Sequence, residues 1–152
     1  MRLSSPAFND GEQIPERYTA PDANELPPLR IESVPETAAS LALLLEDIDS
    51  PLGTVTHWLV WNLPPETEHI ANDALPESCC VGLDTFGEHG YLGPAPAEGR
   101  HHYRFRLLAL DRMLDLADGA KRPDFETAAA DHLLQEAELT GFREAKQGTP
   151  DA

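Results

Sequence analysis

Three short segments hold most of the side chains that could do chemistry: Asp47, Asp49 and Pro51; His57; and His101, His102 and Tyr103. Brought together, two imidazoles and a carboxylate admit three uses. They are a common ligand set for a divalent metal, although the compact spacing of an H-x-x-x-H pair is absent. Nucleophilic catalysis needs a hydroxyl or thiol poised by a base. The candidates Ser50, Thr54, Thr56, Cys79 and Cys80 sit in no motif of the G-x-S-x-G type. The third use is an anion site, in which imidazoles and loop N–H groups donate to a phosphate or carboxylate and the Tyr103 hydroxyl adds a further donor. A carboxylate beside an anion is unfavourable unless it pairs with and orients an imidazole. A purely structural alternative has Asp47 and Asp49 closing a turn through Asx hydrogen bonds and His57 satisfied in the core.

The elements that must position these residues are short. Fourteen prolines and ten glycines divide the first two thirds of the chain into pieces suited to an all-β domain with many turns. Residues 41–47 form an apolar run, and 54–63 are rich in β-branched and aromatic residues, so both predict strands. In the second, alternation puts Val55, His57, Leu59, Trp61 and Leu63 on one face and Trp58 and Val60 on the other, so it is a central strand covered on both sides. Residues 84–100 contain four Gly and two Pro and predict a long irregular loop, ordered or disordered. A third strand over 101–110 places His101, Tyr103, Phe105 and Leu107 opposite His102, Arg104 and Arg106. Over 124–139, Phe125, Ala129, Leu133 and Ala137 recur at helical spacing between Pro123-Asp124 and Gly141, which predicts a C-terminal amphipathic helix. The tail after Arg143 is expected to fray.

The length of 152 residues fits one domain with a sizeable core. Hydrophobic residues make up 41% and charged residues 25%, which argues against disorder. No apolar run approaches the roughly 20 residues of a membrane span, and residues 1–6 lack the apolar stretch of a signal peptide, so the expected compartment is the cytoplasm. A formal charge of −16, spread along the chain, repels nucleic acid and anionic membranes. Only two of the eleven basic residues are Lys (Lys121 and Lys146), and with so acidic a surface this points to a salt-rich cytosol. Cys79 and Cys80 are adjacent, about 3.8 Å between Cα atoms, and are expected to be free thiols.

Four motifs in register carry a resemblance. Asp47-Ile-Asp49-Ser-Pro51, His57-Trp58-Leu-Val-Trp-Asn62-Leu-Pro64, Gly90-Tyr91-Leu-Gly93-Pro94-Ala-Pro96 and His101-His-Tyr103-Arg-Phe-Arg-Leu-Leu-Ala-Leu-Asp111 resemble the phosphatidylethanolamine-binding protein family, in particular its bacterial and archaeal, Raf kinase inhibitor-like branch. The agreement runs over about residues 4–144, including the expected final helix with His132 and Ala137-Glu-Leu139. The resemblance implies a mainly β fold: an antiparallel β-sandwich with short helices and a C-terminal helix beside a small anion-binding pocket. It places Asp47, His57, His101, Tyr103, Gly93, Pro94 and Pro96 around the ligand, with Asp49, Pro51 and Trp58 in support and His102 pointing away.

Family members are mostly binding or regulatory proteins. The resemblance therefore implies no catalytic residue, cofactor or metal, and a small phosphate- or carboxylate-bearing ligand. Two other functions stay open: a module that inhibits a kinase or protease partner through the 84–100 loop, and a hydrolase using His57 or His101 as base. Homodimerisation follows by analogy with the branch. The chain departs from the pattern in three places. The family's Asn-x-Ser-Pro-x-Leu-x-Trp segment appears as Asn24-Glu-Leu26-Pro27-Pro-Leu29-Arg-Ile31, which puts Leu26 at the expected pocket entrance. Glu98 adds negative charge near the anion site, and Asp131 replaces a small helix residue.

Overall fold

A computed structural model of the chain describes residues 1–72 and 75–145. Among the described residues, eight strands pair antiparallel in two sheets. The smaller contains β1 (Arg2–Ser4), β2 (Leu29–Glu32) and β5 (His69–Ile70) in the order β1-β2-β5. The larger contains β3 (Ser40–Asp47), β4 (Val55–Leu63), β6 (Cys80–Val81), β7 (Arg100–Leu110) and β8 (Leu133–Glu144) in the order β6-β4-β3-β7-β8. The described residues form one α-helix, α1 (Arg122–Ala129), which precedes β8, and a short 3-10 helix at Glu16–Tyr18. Among the described residues, no helix is long and apolar enough to cross a membrane.

The expected strands over 41–47, 54–63 and 101–110 are β3, β4 and β7, and all of β3 and β4 is buried. Two cores explain why. Leu41, Leu43 and Leu45 of β3 pack with Trp58, Val60, Phe105 and Leu107 against Leu29, Ile31 and Ile70 of the smaller sheet. Ala42 and Leu44, on the reverse face, pack with Leu59, Trp61, Leu108 and Leu110 against Phe125 and Ala129 of α1. The larger sheet is thus the middle layer, with apolar residues on both of its faces.

Simple alternation along β4 fails. His57 lies with Trp58, Val60 and Leu63 toward one side, whereas Leu59 and Trp61 face the other. The register slips twice: Leu45 opposes Trp58 while Glu46 opposes Thr56, and Leu43 opposes Val60 while Leu41 opposes Leu63. Each slip is a β-bulge that adds one residue to β4 and reverses the parity of the side chains beyond it. Asn62, in the second bulge, has φ of 59°. The bulge at His57 has a direct consequence. Thr56 stays on the α1 side, hydrogen-bonded by Arg122, while the consecutive residues His57 and Trp58 both lie toward the opposite face.

The expected helix over 124–139 also requires correction. α1 ends at Ala129, and 133–144 forms the strand β8, zipped to β7 from Leu110↔Leu133 to Arg100↔Glu144. Phe125 and Ala129 are the helical part of the pattern. From Gln135 onward Glu136 and Glu138 alternate with Ala137 and Leu139, a period of two, and the long ladder offered by β7 decides in its favour. Asp131 accordingly lies in the turn between helix and strand. The tail does not fray at Arg143: Glu144 pairs in β8 and the Ala145 N–H donates to the Gly99 carbonyl at 2.7 Å. Residues 146–152 lie outside the described residues.

Candidate functional site

β3, β4 and β7 run side by side, and their register brings Asp47 opposite both Val55 and Tyr103. His101 lies two residues before Tyr103 on β7, hence on the same face. His57 lies two residues after Val55 on β4 and shares its face. These side chains line a cavity of about 270 Å³, closed by the 50–52 turn and by the loop between β6 and β7. Asp47, His57 and Tyr103 are 5%, 6% and 0% exposed, so the polar groups sit at the bottom rather than on the rim.

The loop that forms one wall is pinned, which answers whether its glycines and prolines leave it ordered. The Gly93 N–H donates to Asn24 Oδ1 at 2.7 Å, the Tyr91 hydroxyl to the Tyr18 carbonyl at 2.8 Å and the Ala20 N–H to the Pro94 carbonyl at 3.1 Å. Gly93 is required here, since a Cβ would run into the Tyr18 carbonyl oxygen. Leu92 closes the wall onto His57 twice: its N–H donates to the His57 carbonyl at 3.1 Å and its own carbonyl accepts from His57 Nδ1 at 2.9 Å.

Both imidazoles are fixed through Nδ1. The partner of His57 is a carbonyl, which can only accept, so the hydrogen is on Nδ1. His101 Nδ1 lies 2.7 Å from Asp47 Oδ2 and donates to that carboxylate. Nε2 is therefore the remaining polar atom of each ring, an acceptor in the neutral form and a donor in the protonated one. Asp47 has a second duty, its Oδ1 accepting the Asp49 N–H at 2.9 Å. This is the Asx turn of the structural alternative, so the two readings of Asp47 coexist. The rings of His57 and His101 both pack on Tyr103, edge-on at 5.5 Å and stacked at 6.4 Å between centroids. The Tyr103 hydroxyl is buried, and the Ala95 N–H faces it without closing a full hydrogen bond. Burial, reinforced by the Asp47 charge, pushes the Tyr103 phenol well above its ordinary range, so it is a neutral donor.

Of the residues expected around the ligand, Asp47, His57, Gly93, Pro96, His101 and Tyr103 line the cavity, as does Pro51. Pro94 lies behind the wall, tied to Ala20, and Trp58 lies in the core, its ring edge-on to Tyr91. Asp49 points outward, accepting from both the N–H and the Nδ1 of His102 at 2.7 Å. Those bonds hold its carboxyl below the usual range. Leu26, expected at the entrance, is a core residue at 4% exposure, and Glu98 is exposed and does not line the cavity. The loop also donates less than expected, because the Gly93 N–H is spent on Asn24 and prolines have none. Sequence reasoning missed the apolar lining: Leu52, Val55, Phe86 and Leu92. Alternation marked Val55, but nothing local marked the other three. Among the described residues, no group of three or more His, Cys, Asp or Glu is arranged to hold a metal ion.

A two-sheet antiparallel sandwich with a His and carboxylate cavity at the end of its central strands defines a class of small-pocket β proteins. The family model for phosphatidylethanolamine-binding protein matches residues 4–144, and the chain belongs to that family. A UPF0098 protein of Methanothermobacter thermautotrophicus is 44% identical over 147 residues, covering 93% of this chain and 97% of its own. One from Pyrococcus abyssi is 41% identical over 156 residues, covering 96% and 86%. Among solved structures, the phosphatidylethanolamine-binding protein homologue CT736 of Chlamydia trachomatis superposes with a TM-score of 0.90 at 36% identity, covering 95% of this chain and 97% of that one. YbcL of E. coli, described as a new member of the mammalian family, superposes with a TM-score of 0.88 at 25% identity, covering 95% and 98%.

Proposed function

We propose that the protein binds a small phosphate- or carboxylate-bearing ligand between His57, His101 and the 93–96 wall, in a binding or regulatory rather than a catalytic role. The observation that carries this reading is the pair of imidazoles that share one cavity, each with Nδ1 committed to an oxygen acceptor. When protonated, each ring turns Nε2 into a charged donor, and the neutral Tyr103 hydroxyl and the Ser50 hydroxyl complete the donor set. Asp47 positions His101. The wall shapes the cavity rather than donating to the ligand. Affinity accordingly falls as rising pH deprotonates the imidazoles.

Calorimetric titration of phosphate, phosphoethanolamine and acetate into the wild type and His57→Ala tests the proposal. Saturable binding with a Kd of about 1 mM or tighter, weakened at least about tenfold in the variant, supports it. An absence of binding up to roughly tens of millimolar, or equal binding by the variant, contradicts it.

A further inference from the structure

The walls and mouth of the cavity narrow the ligand class, resting on the anion-binding reading above. The formal charge lining the cavity is that of Asp47; no Lys or Arg lines it among the described residues. The cation nearest in influence, Arg143, lies behind the wall and donates to the Ile14 carbonyl. Arg143 offsets only part of the Asp47 and Asp49 charge at Tyr103, so the permanent field of the cavity is net negative, and among the lining side chains favourable charge comes from protons on the two imidazoles. A doubly charged ligand meets repulsion from Asp47 that no cation in the lining offsets, whereas a singly charged one is matched by a single imidazolium.

The mouth adds the second constraint. Leu52, 78% exposed, and Phe86, 57% exposed, both line the cavity, from the 50–52 turn and from the loop. Isolated exposed apolar residues need no explanation, but two at the rim of one small cavity form a lip that gains by being covered. Neither is a loosely held loop tip. Asp84 Oδ1 accepts the N–H groups of Phe86 at 2.8 Å and Glu88 at 3.0 Å, and the Thr85 N–H donates to the Thr56 carbonyl at 3.0 Å. The Leu52 N–H is held by Ser50 Oγ at 3.2 Å. Pro51, Val55 and Leu92 extend the apolar surface inward from this lip.

We infer that the site selects a singly charged oxyanion carrying an aryl or branched alkyl group, with the charge at His57 and His101 and the apolar group between Leu52 and Phe86. A hydrophobic carboxylate and a phosphodiester share this chemistry; inorganic phosphate and a phosphomonoester dianion do not.

The test is a titration at about pH 7, where a phosphomonoester is largely doubly charged. Acetate, phenylacetate, dibutyl phosphate, inorganic phosphate and phenyl phosphate are compared on the wild type and on the Leu52→Ser/Phe86→Ser double variant, whose exposed positions leave the fold intact. Phenylacetate or dibutyl phosphate is expected to bind about tenfold more tightly than acetate, from burial of the apolar group alone. Phenyl phosphate is expected to bind more weakly than phenylacetate although the ring is the same. The double variant should bring the tighter ligand toward the level of acetate, abolishing the tenfold preference between the two. The tighter of the two monoanions then tells whether the source is a carboxylate or a phosphodiester. Phenyl phosphate binding more tightly than phenylacetate, or an unchanged preference in the double variant, overturns the selectivity while leaving the anion site standing. Failure of every anion to bind overturns both.

Discussion

Asp47 Oδ2 accepts from His101 Nδ1 at 2.7 Å, across a β3–β7 ladder that pairs Asp47 with Tyr103, while the other oxygen of the same carboxylate closes the turn at Asp49. One side chain thus ends a strand, starts a turn and sets the orientation of a site imidazole. Asp47→Asn keeps an oxygen for the Asp49 N–H but loses the ionised acceptor. The variant is expected to stay folded and to bind acetate about tenfold more weakly, as is common when a partner that orients a ligating His is removed. Inorganic phosphate should lose less, because a like charge leaves with the acceptor. Calorimetry on both anions checks this, and unchanged acetate affinity would show that Asp47 serves only the turn.

Gly93 tests whether the wall is part of the fold. A Cβ there meets Asn24 Oδ1 and, more closely, the backbone carbonyl of Tyr18, which cannot move aside as a side chain could. Gly93→Ala is therefore expected to cost about 2 kcal/mol or more of stability and to weaken ligand binding with it. Urea denaturation measures the loss, and a variant within about 0.5 kcal/mol of the wild type would mean that the wall yields easily.

Glu46 provides the contrast. One residue before Asp47 but on the opposite face of β3, it is 1% exposed and ion-paired with Arg104, Arg106 and Arg122. For Arg106, burial works against the charge, but the hydrogen bond it donates to Glu136 and the pull of Glu46 outweigh it and raise its pKa. Glu46→Ala removes the buried partner shared by three cations, leaving Arg106 with Glu136 and Arg122 with Glu126 while Arg104 loses its carboxylate, and is expected to cost about 3 kcal/mol. Because the cluster faces α1 and not the cavity, anion affinity of the folded variant should match the wild type. Denaturation and calorimetry on one sample separate the two effects.

Alkaline pH should reveal the buried phenols. Burial, aided by neighbouring charge, raises the pKa of Tyr91 and Tyr103 above the ordinary phenol value. A group whose folded pKa is raised favours the folded state fully below its unfolded pKa, near about 10, and that contribution is lost as pH climbs from there toward the folded value. Ultraviolet titration should show Tyr91 and Tyr103 ionising only together with unfolding. Tyr91→Phe/Tyr103→Phe should flatten the alkaline loss of stability relative to its own value at neutral pH. Ionisation of all the tyrosines near about pH 10 in a folded protein would contradict the burial.

Much of the fold was legible because its central strands are apolar enough to be read without context. Leu41 to Leu45 and the Val55–Leu63 segment have no plausible state other than buried strand. The helix predicted over 124–139 stops at Ala129: Leu133 and Ala137 fit a helical repeat, but Ala137 and Leu139 also fit a strand, and a ladder whose partners for these two lie 30 and 34 residues away is invisible in a local window. The two bulges in β4 were likewise hidden, since a bulge is set by the facing strand. Val55 and His57 share the cavity face as alternation predicts, and the bulge is felt beyond them, where Trp58 joins their face and Leu59 and Trp61 leave it. Leu52 and Phe86 carried no signal at all: their role depends on where two separate turns meet.

The proposed anion site rests on the Nε2 atoms of His57 and His101, left over once each Nδ1 is committed. Side-chain imidazole NMR spectra recorded while phosphate, phosphoethanolamine or acetate is titrated report on those atoms directly. Saturable shifts confined to His57 and His101, with those of His101 lost in His57→Ala and those of His102 and His132 absent throughout, are the predicted result. Spectra that stay unchanged up to roughly tens of millimolar anion, or that move all histidines together without saturating, would contradict it.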